Sequence, residues 1–203
     1  MEKNNNKLLW KAGNMVYPLP AVMVTAGSYE GESNIITVAW TGTICTNPAM
    51  VYISVRPERY SYNLLKDTKE FVINLTTKQL AKATDYCGVV SGRDVDKWER
   101  ANLTKGKATK VSCPVIVESP VNIECRVTEI KELGSHHMFI AEVLAIQVSE
   151  EYMDKNNRFN LSKANPIAYS HGEYYTCGEL LGTFGYSVKK KKAKSKTKKP
   201  RRK

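Results

Sequence analysis

The sequence predicts a mostly β domain, a barrel or sandwich with few helices. Three observations carry that expectation. About seven runs rich in Val, Ile, Thr and aromatic residues are set off by Gly, Pro and Asn turns. Only two segments have convincing helical spacing. The strands also follow one another without the intervening helices that a doubly wound sheet requires.

Taken in order, residues 1–17 form a lead-in and Tyr17-Pro18-Leu19-Pro20 an extended entry. Ala21–Ala26 reads as a buried strand closed by the turn-prone Glu30-Gly31. A long strand is expected over Ile35–Ile44, then a turn at Thr46-Asn47-Pro48 and a strand over Met50–Val55. Ser61–Thr68 is a short helix and Phe71–Leu75 a strand; Thr77–Tyr86 is a helix with Thr77 as its N-cap. Gly88 to Lys110 is polar and irregular. The β pattern returns in Val115–Glu118, Val121–Ile130 and Met138–Val148, the last two joined by a broad loop, Lys131–His137, in which Gly134 supplies a permissive residue. Leu161–Ser187 is loop-rich.

At 203 residues the chain is long enough for one domain with a sizeable core. The net charge of +11 sits in one place: residues 189–203, KKKKAKSKTKKPRRK, hold eleven of the 31 Lys and Arg and no acid. The remaining 20 basic residues face 20 acidic ones, so residues 1–188 form a formally neutral domain. A like-charged run of that kind cannot bury apolar surface and is expected to be a disordered tail with weak attraction to polyanions. Met1–Lys7 leads into a polar segment without an apolar h-region, and no window of about 18 apolar residues exists to span a bilayer. Five cysteines without a CxxC pair fit neither a disulfide framework nor a zinc site, which makes the cytoplasm the expected compartment.

Resident side-chain chemistry is sparse. No GxGxxG follows a strand, and there is no GxxxxGK[ST] or GxSxG. His136 and His137 are adjacent and would point to opposite faces of a strand, so no metal site is expected. No catalytic side chain stands out, and catalysis therefore falls to a bound organic cofactor. Three stretches could hold one, the first of which, Asn34–Tyr62, has two parts. Asn34–Trp40 places the small residues Thr37 and Ala39 beside Val38 and Trp40, where a flat ring can approach the backbone, although an ordinary barrel strand would look the same. The second strand ends in Ser54, Arg56, Arg59, Ser61 and Tyr62, a cluster of guanidinium and hydroxyl donors suited to an anionic head group. Ser91, Gly92, Arg93 and Lys97 could complete a phosphate cage, or form a solvated turn before a short helix. His171, beside Gly172 and two tyrosines, is the weakest candidate.

In this order the segments resemble the flavin reductase-like, FMN-binding split-barrel family, and within it the flavoredoxin group. The resemblance runs through PLPAVMVT at 18–25, NIITVAW at 34–40, NPAMVYISVRP at 47–57, FVINL at 71–75, SGRDVDKW at 91–98 and HGEYY at 171–175, covering residues 10–187. It implies a six-stranded Greek-key split barrel, a homodimer, and one noncovalent FMN per subunit. It places the ring against Thr37–Trp40 and the phosphate among Arg56, Arg59, Ser61, Tyr62 and the Ser91–Lys97 loop. Cys45 follows the ring-side strand, where it could tune a flavin, although a small buried hydrophobe is the simpler reading. The function implied is an oxidoreductase moving electrons from NAD(P)H through FMN to free flavin, ferric iron or a redox protein. The alternatives are a flavoredoxin-type carrier without NAD(P)H activity, a scaffold docking to polyanions through its tail, and a heme-binding or other non-flavin barrel. The basic tail departs from the family pattern.

Overall fold

A computed structural model of the chain describes residues 6–189. All of the basic tail except Lys189 therefore lies outside the described residues. The strands in chain order are β1 (Leu19–Pro20), β2 (Val22–Gly27), β3 (Ser33–Val38), β4 (Thr41–Cys45), β5 (Met50–Val55) and β6 (Glu70–Asn74). They continue with β7 (Lys105–Gly106), β8 (Val115–Ile116), β9 (Val121–Leu133), β10 (His136–Val148), β11 (Ile167–Ser170) and β12 (Glu173–Thr176). Three α-helices, α1 (Ser61–Thr68), α2 (Ala81–Val89) and α3 (Lys97–Arg100), lie between them.

The main sheet has seven antiparallel segments in the order β3-β2-β6-β9-β10-β5-β4. Its two outermost segments, β3 and β4, are consecutive in the chain. The expected single strand over Ile35–Ile44 is broken at Ala39-Trp40: β3 pairs with β2, whereas β4 pairs with β5. Counted as one bent strand, β3–β4 closes a six-stranded split barrel, which reconciles the seven segments with the six strands expected. The bend is needed because one straight strand could not reach partners on both sides of the closure.

Period-two burial explains why these residues form these strands. All six residues of β2 are buried. Val22, Val24 and Ala26 face the barrel core with Ile53, Val55, Phe71 and Phe139, while Met23 faces outward into a second cluster with Ile35, Leu80, Cys87 and Trp98 beneath α2 and α3. Helix α1 contributes Tyr62 and Leu65 to the barrel core.

Three other expectations need correction. The hairpin β9–β10 has no broad loop; both strands run on to a turn at Gly134-Ser135, with Gly134 at φ +33°. The end of β9 is mostly exposed, so no apolar alternation marks it in the sequence. Helix α2 begins at Ala81 and ends at Val89, whereas the sequence favoured Thr77–Tyr86. Thr77 instead accepts from the Leu80 amide in a turn that precedes the helix. The ending expected to be loop-rich contains β11–β12, which pairs with β1 as a separate three-stranded sheet.

One buried carboxylate organises the far side of the barrel. Glu124 on β9 is fully buried and accepts from the amides of Thr109 (3.0 Å) and Lys110 (2.6 Å), from Thr109 Oγ1 (2.9 Å) and from Gln147 Nε2 (2.9 Å). Burial alone would raise its pKa, but these donors outweigh it and hold the carboxyl below the usual range.

Candidate functional site

The bend between β3 and β4 forms the floor of a cleft. The Thr41 amide donates to the Ala39 carbonyl at 3.0 Å, turning the chain, and the Ser54 amide donates to the Trp40 carbonyl at 2.8 Å, joining the bend to β5. Above it lies a slot of about 350 Å³. Its floor is Ile36, Thr37, Val38, Ala39 and Trp40 with Ser54, Val55 and Arg56; Asp85, Gly88 and Val89 of α2 form one wall, and Tyr169, Gly172 and Tyr174 of the β11–β12 hairpin form another. His136, at the start of β10, completes the lining.

A second cavity of about 270 Å³ abuts the slot and shares Ile36, Arg56 and Arg59 with it. It is polar and cationic, lined by Asn34, Arg56, Glu58, Arg59, Tyr60, Ser61, Ser91, Gly92, Arg93 and Lys97. Four cations therefore surround one carboxylate. Arg56 Nε pairs with Glu58 Oε1 at 2.6 Å, but both side chains are more than half exposed, so this pairing is worth little and a buried anion could displace it. Arg93 is anchored by donation to the Glu58 carbonyl at 3.1 Å and lies 5.6 Å above the Tyr60 ring. Asn34 Nδ2 donates to Ser61 Oγ at 2.8 Å, which orients that hydroxyl at the start of α1.

The two sequence segments singled out as anion binders thus converge on one cup. Three of the expected site residues have a second task or a different place. Lys97 is buried, and its Nζ donates to the carbonyls of Ile35 (2.8 Å) and Cys87 (2.7 Å), tying β3 to α2. Burial, offset by the neighbouring Cys87 and reinforced by Arg59, brings its pKa down to about 8. Thr37 spends its hydroxyl on the Thr84 carbonyl at 2.5 Å, so its contribution to the slot is a methyl group and backbone. Tyr62 lines neither cavity: its ring packs in the barrel core, edge-on to Phe139, and its hydroxyl meets His137 Nδ1 at 2.7 Å. The helical period explains this, since Ser61 at the start of α1 faces the cup and the next residue turns inward.

His171 is also off the cleft. It occupies the β11–β12 turn at φ +49°, exposed and against Tyr17 at 4.2 Å between ring centroids, while its neighbour Gly172 lines the slot. Cys45 lies at the far end of β4, where its thiol contacts the Asn47 carbonyl. Among the described residues no group of three or more His, Cys, Asp or Glu is arranged to hold a metal ion.

Sequence reasoning passed over His136, which was weighed only as a metal ligand. Its ring stacks on Trp40 at 15° with centroids 6.2 Å apart, and its Nδ1 meets Ser135 Oγ at 2.9 Å. Burial, followed by the Arg56 guanidinium, lowers its pKa against the opposing pull of Glu58, so the ring is neutral at neutral pH. Across the slot, burial and then Asp85 push the Tyr174 phenol up to about 12, which keeps it a hydrogen-bond donor.

Comparison with known proteins agrees with this architecture. Over 90% of this chain the fold matches the flavoredoxin of Desulfovibrio vulgaris (Miyazaki F), with a TM-score of 0.83, 27% identity and all of that chain covered. The flavoredoxin of Methanosarcina acetivorans matches over 90% of this chain and 99% of its own, with a TM-score of 0.81 and 26% identity. An uncharacterized protein of Archaeoglobus fulgidus is 30% identical over 139 residues, 68% of this chain and 77% of its own. Residues 14–178, most of the chain, match the family model for the flavin reductase like domain. With its bent-strand barrel and its paired cavities, the chain belongs to the flavin reductase-like family.

Proposed function

We propose that the chain is an FMN-binding oxidoreductase that carries electrons from NADH or NADPH to free flavin, ferric iron or a redox protein. The observation that carries this reading is the abutment of a flat, largely apolar slot with a cup of four cations. A ligand with a planar ring system at one end and a phosphate at the other matches both. The donor set fits the group: Arg56, Arg59, Arg93 and Lys97 supply charge, and the hydroxyls of Ser61 and Ser91 fill remaining acceptor positions on a phosphate. Bound there, FMN would supply the electron-transfer chemistry that the side chains of this chain lack.

The protein's own part is placement. The backbone of Thr37–Trp40 and the Ser54 side chain flank the ring position, and Tyr169 and Tyr174 keep bulk water from its far side. Trp40 and His136 form an aromatic ledge at the same slot, where a nicotinamide donor would dock. The apolar residues Leu8, Leu9 and Trp10 near one end and Leu180, Leu181 and Phe184 near the other are strongly exposed, which supports a homodimer that covers them. No helix among the described residues is long and apolar enough to cross a membrane, and the free cysteines favour the cytoplasm. We take residues 1–188 as one domain and the basic run from 189 as a separate element with weak attraction to polyanions.

The visible spectrum of purified protein tests the reading. Flavin bands, or their appearance with quenched fluorescence on adding FMN, are expected; a colourless protein that ignores FMN would overturn it. The high similarity to flavoredoxins favours a second reading, an electron carrier without NAD(P)H activity. Rapid mixing with NADH and with NADPH separates the two, because a flavin that stays oxidised with both identifies the carrier.

A further inference from the structure

Behind the wall that α2 gives the slot lies a groove of about 680 Å³, between that helix and the end of α3. The helical period divides α2 between the two cavities. Gly88 lines only the slot, Lys82, Ala83 and Tyr86 line only the groove, and Asp85 and Val89, four residues apart, line both. Slot and groove therefore meet along one turn of helix. Leu80 and Leu103, both buried, give the groove an apolar floor.

The groove carries features of a nucleotide site that the ring slot and the phosphate cup do not use. Tyr86 is half-buried and pairs with no other aromatic ring among the described residues, which leaves a face on which a base can stack. Lys82 on α2 and Arg100 at the end of α3 are exposed, and among the described residues neither side chain makes an ion pair or a hydrogen bond. The carboxylates beside them are occupied. Both oxygens of Glu118 accept from the Thr104 amide at 3.1 Å, and the Asp85 charge bears on the Tyr174 phenol across the slot. An adenosine ribose with a free 2′-hydroxyl is met by an available carboxylate, one with a 2′-phosphate by an available cation. The groove offers two cations and no uncommitted acid.

Resting on the flavin reading, we propose that this groove receives the adenosine half of the electron donor with its 2′-phosphate between Lys82 and Arg100, so that the chain takes NADPH in preference to NADH. The nicotinamide end stays in the slot, and the adenosine end crosses the Asp85–Val89 turn to stack on Tyr86. The volume lies within the roughly 300–1,000 Å³ of small-ligand sites.

Calorimetric titration of the full-length protein, with and without FMN, against adenosine 2′,5′-bisphosphate and against 5′-AMP tests this. The bisphosphate is expected to bind at least about tenfold more tightly, the worth of one charge-assisted hydrogen bond. Lys82→Gln and Arg100→Gln each reduce that advantage and leave 5′-AMP and FMN affinities within about twofold. Tyr86→Leu weakens both adenosine ligands alike. Equal affinity for the two ligands overturns the 2′-phosphate contact and the preference for NADPH. Binding of FMN but of neither adenosine ligand overturns the groove and leaves the flavin reading intact, whereas failure to bind FMN as well overturns both. A change of oligomeric state in Arg100→Gln, read by light scattering, assigns the groove to a protein contact and overturns the nucleotide.

Discussion

The ammonium of Lys97 donates to the Cys87 carbonyl at 2.7 Å, and the same side chain lines the cationic cup. One residue thus fastens α2 to β3 and lends charge to the cup. With its pKa brought down to about 8, that charge is lost as pH rises. A flavin phosphate is fully ionised above its second pKa of about 6, so the ligand does not change over the same interval. FMN affinity is expected to fall as pH rises through about 8, measured by flavin titration between roughly pH 7 and 9.5. In Lys97→Met that step disappears, at a cost in stability of about 1–3 kcal/mol from the two carbonyls left unmet.

Arg59 lines both the slot and the cup, and among the described residues its guanidinium has no acceptor. Arg59→Ala should weaken FMN by about 1.5–3 kcal/mol, the range for a charged hydrogen bond. Riboflavin lacks the phosphate, so its affinity should be nearly unchanged. Equal losses for both ligands, measured by calorimetry, would place the phosphate elsewhere.

His136 titrates below the ordinary histidine value because it is partly buried and faces Arg56. In the folded protein it therefore resists protonation more than in the unfolded chain. Its contribution to stability is complete above about pH 6.5 and declines as pH falls through that value. A two-dimensional NMR titration should give a midpoint below 6.5, and Arg56→Gln should move it upward.

Glu124 shows the opposite case. Its folded pKa is lowered, so the stability it contributes is present above its unfolded value of about 4.3 and is lost as pH falls below it. Glu124→Gln should lower the urea midpoint at neutral pH by the equivalent of about 1–3 kcal/mol and flatten the acid limb. The visible cleft lies elsewhere on the barrel, so flavin affinity should be retained.

The barrel was legible because its inner strands carry period-two apolar residues, as in Val22, Val24 and Ala26. The convergence of Arg56 and Arg59 with Arg93 and Lys97 was legible as chemistry, since both segments end in the same donor types. Less visible was what depends on neighbours brought together only by folding. The break at Ala39-Trp40 is dictated by two different pairing partners, and nothing in the local composition announces it. Tyr62 and Ser61 are adjacent and equally suited to an anion, and only the helical turn separates core from cup. His136 gains its role from Trp40 and Arg56, which are close to it in space but far from it along the chain, a relation that spacing along the sequence does not encode.

The bend that closes the barrel is also the floor of the slot. An occupant resting on Ala39 and Trp40 therefore acts as a rivet through the seam of the fold. Any ligand held there stabilises the closed barrel by mass action, by about 2.7 kcal/mol at a hundredfold excess over its dissociation constant. Stripped of it, the seam is where the barrel should open first, and hydrogen exchange at the amides of Thr41 and Ser54 would show it.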